Sequence, residues 1–201
     1  MPIFKEFTKE NVKILIWKYD ENEDLGIECP FLKNIHPKRQ KEILMVRKML
    51  SILLPRHELL YQENGEPYLN PADRHISISH SFPFAVVAVS DEKIGIDLEE
   101  IQPKLEKIKN KYLYKTEYDW IEEENELEYL TLIWSIKEAL YKIHSMKYWS
   151  FREHYEIEKF NLTDKRISCS VFDERKKNQY FANFIKMENF YLTIVKEKPL
   201  N

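Results

Sequence analysis

The sequence has few cysteines, few glycines and no long apolar segment. Its two cysteines, among 201 residues, are too few and too far apart for a disulfide framework or a zinc site. No segment approaches the roughly 20 apolar residues of a membrane-spanning helix. The polar N-terminal residues also lack the apolar region of a signal peptide. We therefore expect a cytoplasmic protein that does not interact with a membrane.

The sequence also lacks a strong net charge, which is −3 at pH 7. Nucleic-acid-binding domains usually present a strongly basic surface, so no nucleic-acid partner is expected. An anionic partner would have to meet a local basic patch. The composition, with 43% apolar and 32% charged residues, suits a globular protein with a real core. The length allows one large domain or two small ones.

Both strand and helix patterns occur along the chain, which predicts a mixed α and β protein. Strands are predicted where β-branched and aromatic residues cluster or alternate with polar ones, at residues 12–19, 75–79, 84–89, 167–172, 180–185 and 191–195. Helices are predicted at residues 37–54, after Pro103, and at about residues 127–143. No Gly/Ser-rich linker marks a domain boundary.

The strand-like segment KIGIDLE, residues 93–99, raises a question of charge. Successive side chains of a strand point to opposite faces, so the isoleucines and the leucine are expected to face a core. Asp97 and Glu99 would then point together off the other side. Two like charges on one strand face are unfavourable unless water or a cation separates them. Gly95 removes a side chain beside them, which allows close approach of a ligand or of another backbone.

A second segment, WSIKEALYK at residues 134–142, has the spacing of a helix. Glu138 and Lys142 share one stripe by the i, i+4 rule, beside an apolar face. Taken alone, the segment is typical of an amphipathic helix with a surface ion pair worth about 0.3–0.5 kcal/mol. Taken alone, the carboxylate pair of residues 93–99 is typical of a solvated strand face.

Together and in this order, GIDLE and WSIKEALYK resemble the signature of the 4′-phosphopantetheinyl transferases, and most closely their monomeric Sfp-like branch. Other segments resemble the same family: the basic helix HPKRQKEILMVRKML, the turn NGEPYL, the strand HISISHS and the segment KYLYKTEY. The resemblance covers roughly residues 36–145.

The resemblance implies an α+β fold of two similar halves, residues 1–93 and 94–201, related by a pseudo-twofold axis. Coenzyme A would lie in the cleft between them, and the chain would act as a monomer. The implied reaction transfers the phosphopantetheine arm of coenzyme A to a serine hydroxyl of an apo carrier protein and releases adenosine 3′,5′-bisphosphate. Attack on an anionic diphosphate requires charge neutralisation and alignment, which Mg²⁺, or Mn²⁺, can supply.

The motifs carry specific roles over to this chain. Asp97, Glu99 and Glu138 would hold the metal ion, and Lys142 would place an ammonium group on the diphosphate. Glu117, in KYLYKTEY, is a further candidate, either for activating the serine hydroxyl or for fixing a metal-bound water. Which of the three glutamates removes the serine proton is left open, because geometry decides it. Replacing Asp97 with alanine is expected to abolish transfer and to leave the fold intact, since its side chain would sit off the core face.

Contacts to the coenzyme A phosphates are implied as well. His80 would donate to a phosphate oxygen from the loop after the HISIS strand, with Ser79 beside it. Lys137 would assist, although its helical angle points it toward the apolar face. The 3′-phosphate would be bound by three side chains of the basic helix, namely Lys38, Lys41 and Arg47. The alternative is that this helix only presents a solvated face.

One position departs from the family pattern. Glu66 replaces the lysine that the family usually has between glycine and proline, and reverses the local charge. Either the basic helix binds the 3′-phosphate without this contact, or the affinity for coenzyme A is reduced. No binding role is assigned to Glu66.

A lysine stripe after Pro103 predicts where the carrier protein binds. On a helix, its four members would share one face beside an apolar stripe: Lys104, Lys107, Lys111 and Lys115. Carrier proteins are generally acidic, so such a basic face would attract one. The plain alternative is a solubilising surface.

Two other functions remain open. The carboxylates and Lys142 would also serve an Mg²⁺-dependent transferase or hydrolase acting on another nucleotide. Alternatively, the chain could be a non-catalytic module that binds a carrier protein or coenzyme A, for which Glu66 is the only hint.

Overall fold

Each of the two units of the chain, Met1–Glu92 and Lys93–Asn201, is built around its own antiparallel sheet. The computed structural model describes residues 3–20, 36–144, 147, 150–173 and 176–199. Sheets and helices occur in both units, so the predicted mixed α+β class is confirmed.

The first unit contains six strands and one helix among its described residues. They are β1 (Ile3–Lys9), β2 (Val12–Lys18), α1 (Pro37–Leu53), β3 (Glu58–Tyr61), β4 (Pro67–Asn70), β5 (His75–Ser81) and β6 (Phe84–Ser90). Its main sheet has the order β1-β2-β6-β5, and β3 and β4 form a separate hairpin. Glu10 and Asn11, at φ of 49° and 65°, connect β1 to β2, as a two-residue turn of a twisted hairpin requires.

Helix α1 packs on this sheet because its apolar side chains recur at i, i+3 and i+4. Pro37 begins the helix, where its missing N–H costs nothing. The buried face of α1 meets Leu15 and Trp17 of β2 and Val87 of β6. It consists of Met45, Val46, Met49, Leu50 and Leu53.

The second unit contains five strands and three helices among its described residues. They are β7 (Ile94–Glu100), α2 (Lys104–Ile108), α3 (Glu126–Ile143), α4 (Phe151–His154), β8 (Tyr155–Ile157), β9 (Ile167–Phe172), β10 (Lys177–Met187) and β11 (Phe190–Glu197). The sheet order is β7-β11-β10-β9-β8, antiparallel throughout. Helix α3 lies across β7 and β11, and its buried side chains include Leu130, Ile133, Ile136 and Leu140.

One helix is shorter than predicted. The segment after Pro103 is α-helical only over Lys104–Ile108 and continues as a single 3₁₀ turn, Lys109–Lys111. Its apolar residues are nevertheless placed as expected, since Leu105 and Tyr112 are buried. Over the described residues, no helix combines the length and the apolar character needed to cross a bilayer.

Candidate active site

Gly95 lets helix α3 approach strand β7 closely. A Cβ atom at this position would lie 2.0 Å from the carbonyl oxygen of Ala139. Of the two explanations for Gly95, close approach of a ligand or of another backbone, the second is therefore the right one. Since side chains two apart share a strand face, Asp97 and Glu99 also point toward α3.

Asp97 is buried rather than exposed, which corrects the expectation of a side chain standing clear of the core. The residue is only 4% exposed. Its Oδ1 accepts a hydrogen bond of 2.8 Å from Lys142 Nζ, which also donates to the carbonyl oxygen of Ile96 at 2.9 Å. An alanine at residue 97 would leave Lys142 without this carboxylate, so alanine is not a neutral test of the chemistry. Asparagine is the better substitution.

Glu99 lies next to Asp97 on the same face and is half-buried. Trp134 of α3 donates its indole N–H to Glu99 Oε1 at 2.9 Å. Burial, and then the negative charge of Asp97, raise the pKa of Glu99, whereas the Trp134 hydrogen bond opposes the rise. Trp134, the first residue of the WSIKEALYK segment and not among the predicted site residues, therefore positions a site carboxylate.

Glu138 completes the cluster from one turn before Lys142. Burial, followed by the charge of Asp97, raises the pKa of Glu138 to about 7, against the opposing charge of Lys142. The smaller contribution of Glu99 acts in the same direction. The three carboxylates thus repel one another, and a cation would relieve this repulsion.

The same helix stripe is anchored at its other end. Ser135 Oγ donates to Thr193 Oγ1 of β11 at 2.9 Å, and both residues are fully buried. This bond fixes α3 on the sheet one turn before Glu138. Along this polar stripe of α3, Ser135 therefore anchors the helix to the sheet, whereas Glu138 and Lys142 belong to the carboxylate cluster.

The carboxylates suit a magnesium ion only in part. Among the residues that the structure describes, no three acidic, histidine or cysteine side chains are arranged to hold one metal ion. Mg²⁺, however, commonly takes one or two carboxylates and completes its octahedral shell with phosphate oxygens and waters. Asp97 and Glu138 are near enough for their charges to interact and are the candidates for that smaller set, whereas Glu99 Oε1 already accepts the N–H of Trp134.

Glu117 and Lys137 form a separate buried ion pair. Both side chains are 0% exposed, and Lys137 Nζ donates to Glu117 Oε2 at 2.7 Å and to the carbonyl oxygen of Tyr112 at 2.7 Å. The carboxylate also accepts the backbone N–H groups of Tyr114 and Ile157, each at 2.8 Å. Burial raises the pKa of Glu117 and lowers that of Lys137 to about 8.

This pair does not have the geometry that its predicted roles require. The carboxylate of Glu117 has no exposed surface from which to take a serine proton. Lys137, buried as its helical angle suggested, has no exposed surface for a phosphate. The pair connects α3 to the Tyr114 turn and to β8, so we interpret both residues as structural.

In the first unit, His80 contacts the N-terminal part of α1. Arg39 Nη1 lies in hydrogen-bonding contact with His80 Nε2, and Arg39 also pairs with Glu42 at 3.1 Å. His80 Nδ1 is 3.6 Å from Glu42 Oε1. His80 is inside β5 rather than in the loop that follows it, which corrects its expected position. Alternation along β5 then places the buried Ser79 on the opposite sheet face.

The sequence reasoning missed Arg39. The residue stands between Lys38 and Lys41, and its i, i+3 spacing from Glu42 was a usable signal. The side chain of Lys38 lies outside the described part of the chain. Lys41 Nζ lies 4.4 Å from the ring centre of Tyr19, and Arg47 is half-buried.

The remaining predicted residues lie on the surface or in turns. Glu66 is half-buried in the β3–β4 turn, where its backbone N–H donates to Asn64 Oδ1 at 3.0 Å. The four lysines of the predicted stripe are all exposed, as expected: Lys104, Lys107, Lys111 and Lys115.

Comparison with known proteins points to one family. The model of the 4′-phosphopantetheinyl transferase superfamily matches residues 93–195, half of the chain. The chain is 30% identical over 128 residues to the 4′-phosphopantetheinyl transferase gsp of Aneurinibacillus migulanus, covering 61% of this chain and 54% of that protein. It is 37% identical over 86 residues to a 4′-phosphopantetheinyl transferase of Bacillus subtilis, covering 40% of this chain and 38% of that protein.

A third relative is similar over the same extent. The 4′-phosphopantetheinyl transferase Sfp of Bacillus subtilis (strain 168) is 33% identical over 85 residues, covering 40% of this chain and 38% of that protein. The chain thus spans about half the length, or less, of the relatives it matches. The matched family region contains β7 and α3, the two elements that bring the carboxylates together. From this match and the resemblance of its motifs, we conclude that the chain belongs to the 4′-phosphopantetheinyl transferase superfamily.

Proposed function

We propose that the protein transfers the 4′-phosphopantetheine arm of coenzyme A to a serine hydroxyl of an apo carrier protein. The observation that carries this proposal is the cluster of Asp97, Glu138 and Lys142 at the contact of β7 and α3. It combines mutually repelling carboxylates, which would bind a divalent cation, with an ammonium group, and that cation and Lys142 would together neutralise an anionic diphosphate.

In the proposed reaction, the serine oxygen attacks the phosphorus atom that bears the pantetheine arm. The bond from that phosphorus to the bridging oxygen breaks, and adenosine 3′,5′-bisphosphate leaves. Mg²⁺, or Mn²⁺, held by Asp97 and Glu138, would supply charge neutralisation and alignment of the diphosphate. Lys142, whose side chain is 30% exposed, would stabilise the charge that develops on the phosphate oxygens.

The serine proton needs a carboxylate to receive it. Glu117 is a poor choice because its carboxylate is fully buried and accepts from three donors. Glu99 and Glu138 instead belong to the carboxylate cluster beside Lys142, where the diphosphate and the serine hydroxyl would meet. We therefore favour Glu138 or Glu99 over Glu117.

The first unit would contribute cations to coenzyme A. His80, Lys41 and Arg47 are the proposed contacts for its phosphates, and the contact of Arg39 with His80 supports including Arg39 among them. Lys38 is retained from the motif alone. Ser79 is a weaker proposal, because it is buried on the opposite face of β5.

An acidic carrier protein is the proposed macromolecular partner. The exposed lysines of residues 104–115 would attract its acidic surface. A surface cavity of about 910 Å³ adjoins the end of this segment and offers aromatic and basic side chains to the same partner. Its lining consists of Asn110, Tyr114, Lys115, Tyr118, Arg152 and Glu153. We further propose a cytoplasmic monomer, and light scattering after size-exclusion chromatography would measure its mass.

One experiment separates this function from its two rivals. The protein is incubated with coenzyme A, Mg²⁺ and an apo carrier protein, and the carrier is analysed by intact-mass spectrometry. We expect the mass of the arm on the carrier, and no addition when EDTA replaces Mg²⁺. Cleavage of coenzyme A without carrier modification would favour a hydrolase. Binding without any chemistry would favour a non-catalytic module.

A further inference from the structure

The turn between β5 and β6 exposes a large aromatic ring. Phe82 is 45% exposed, whereas Phe84, two residues later, is 1% exposed and lies inside the unit. The Phe82 ring centre lies 5.7 Å from that of Tyr19, with the two planes at 45°. The backbone N–H of Tyr19 donates to the carbonyl oxygen of Pro83 at 2.8 Å, which ties Tyr19 to this turn.

One lysine contacts this aromatic pair, and an arginine of the same helix contacts the strand that leads to Phe82. Lys41 Nζ lies 4.4 Å from the Tyr19 ring centre, so it is no further than about 10 Å from the Phe82 ring centre. Arg39 lies two residues before Lys41 and contacts His80, which precedes Phe82 by two residues on β5. Glu42 pairs with Arg39 at 3.1 Å and also lies 3.6 Å from His80 Nδ1.

A nucleotide-binding surface commonly combines two features, an exposed aromatic ring and nearby cationic side chains. A base stacks on an aromatic face, and Lys or Arg side chains neutralise the phosphates. An extended nucleotide separates its base from its phosphates by several ångströms, which the distance between Phe82 and Lys41 accommodates. A purely apolar partner would gain nothing from Lys41 and Arg39.

We infer that Phe82, supported by Tyr19, is the stacking surface for the adenine ring of coenzyme A, with Lys41 and Arg39 beside it for the phosphates of the adenosine part. The inference rests on the proposed function for the identity of the nucleotide. It adds Phe82 and Tyr19, which none of the family motifs includes, to the residues that bind this substrate.

The test measures binding of adenosine 3′,5′-bisphosphate to the full chain by isothermal titration calorimetry. Phe82→Ala is expected to raise Kd about 5- to 100-fold, the usual loss when a stacked base loses its aromatic partner. Phe82→Tyr keeps the ring and is expected to retain the affinity. Tyr61→Ala is the matched control, since Tyr61 is 53% exposed on β3 of the same unit and no change is expected.

A second probe separates stacking from charge. Pantetheine 4′-phosphate lacks the adenosine part, so its binding is expected to be equal in the wild type and in Phe82→Ala. An unchanged Kd for adenosine 3′,5′-bisphosphate in Phe82→Ala overturns the inference, as does an equal loss in Tyr61→Ala. A loss confined to Phe82→Ala supports the stacking surface even if no arm transfer is detected, in which case only the proposed reaction fails.

Discussion

At Gly95 the contact between β7 and α3 leaves no room for a side chain. A Cβ there would meet the backbone oxygen of Ala139 at 2.0 Å, and a helix backbone cannot yield as a flexible side chain can. Gly95→Ala is therefore expected to lower the free energy of unfolding by about 2 kcal/mol or more in urea denaturation. The control is Gly65→Asn, because Gly65 has φ +82° and open space, a conformation that asparagine tolerates. A stable Gly95→Ala protein would contradict the close packing.

The buried Glu117–Lys137 pair gives a second prediction at the residue scale. Removing one partner leaves an uncompensated buried charge, so Glu117→Gln or Lys137→Met is expected to cost about 3–5 kcal/mol of unfolding free energy. The double substitution should cost less than the sum of the two, because no unpaired charge remains. A double-mutant cycle by chemical denaturation measures this coupling. Additive losses would show that the two groups act independently.

His144, at the C-terminal end of α3, links stability to pH. Its Nδ1 lies 2.6 Å from Tyr180 Oη, and burial lowers the pKa of His144, with Asp173 opposing and Lys147 reinforcing the shift. The folded protein therefore binds a proton less readily than the unfolded chain does. Stability from this group is complete above a pH of about 6.5 and decreases as the pH falls below it.

The pH prediction is checked by thermal unfolding at pH 5 and pH 7.5. The decrease in Tm on acidification should be smaller in His144→Gln than in the wild type. The exposed His75 provides the control, and His75→Gln should leave the decrease unchanged. Equal decreases in all three proteins would remove His144 from the account.

Among the elements, the segment of residues 104–115 carries the prediction about the partner. Reversing Lys107 and Lys111 to glutamate is expected to raise KM for an acidic carrier protein about tenfold or more, with little change in KM for coenzyme A. The physical reason is loss of long-range attraction, so the wild-type KM for the carrier should also rise with salt. Steady-state kinetics at two ionic strengths measure both effects. A KM that is independent of salt would count against docking here.

Periodicity was sufficient to predict elements whose faces differ in polarity. The amphipathic spacing of α1 and α3 gave both helices nearly to the residue, as did the alternation in β5. Periodicity failed for elements whose two faces do not differ in polarity or whose helix is interrupted. Strand β7 is buried on both faces over residues 94–98. Its carboxylates had suggested that one face is solvated, but α3 covers that face. The spacing also did not reveal that α2 ends at Ile108 and continues as a 3₁₀ turn, although Tyr112 is buried as predicted.

At the scale of the whole chain, the contacts that form the site join residues distant in sequence. Asp97 and Lys142 are 45 residues apart, and Arg39 and His80 are 41 apart. Local sequence patterns do not reveal such long-range pairs. Asp97 and Lys142 were identified only because both lie in family motifs, and Arg39, which the motifs did not single out, was missed. The pseudo-twofold relation between the halves and the boundary at residue 93 stay predictions.

The central claim is that the carboxylates at the contact of β7 and α3 perform the transfer. The most direct measurement is the initial rate of arm transfer to an apo carrier protein by Glu138→Gln, compared with Glu124→Gln, an exposed glutamate of the same unit. Loss of one ionised group from such a site is expected to slow the reaction about 10²-fold or more, whereas Glu124→Gln should match the wild type. A Glu138→Gln rate within a few-fold of the wild type would contradict the account.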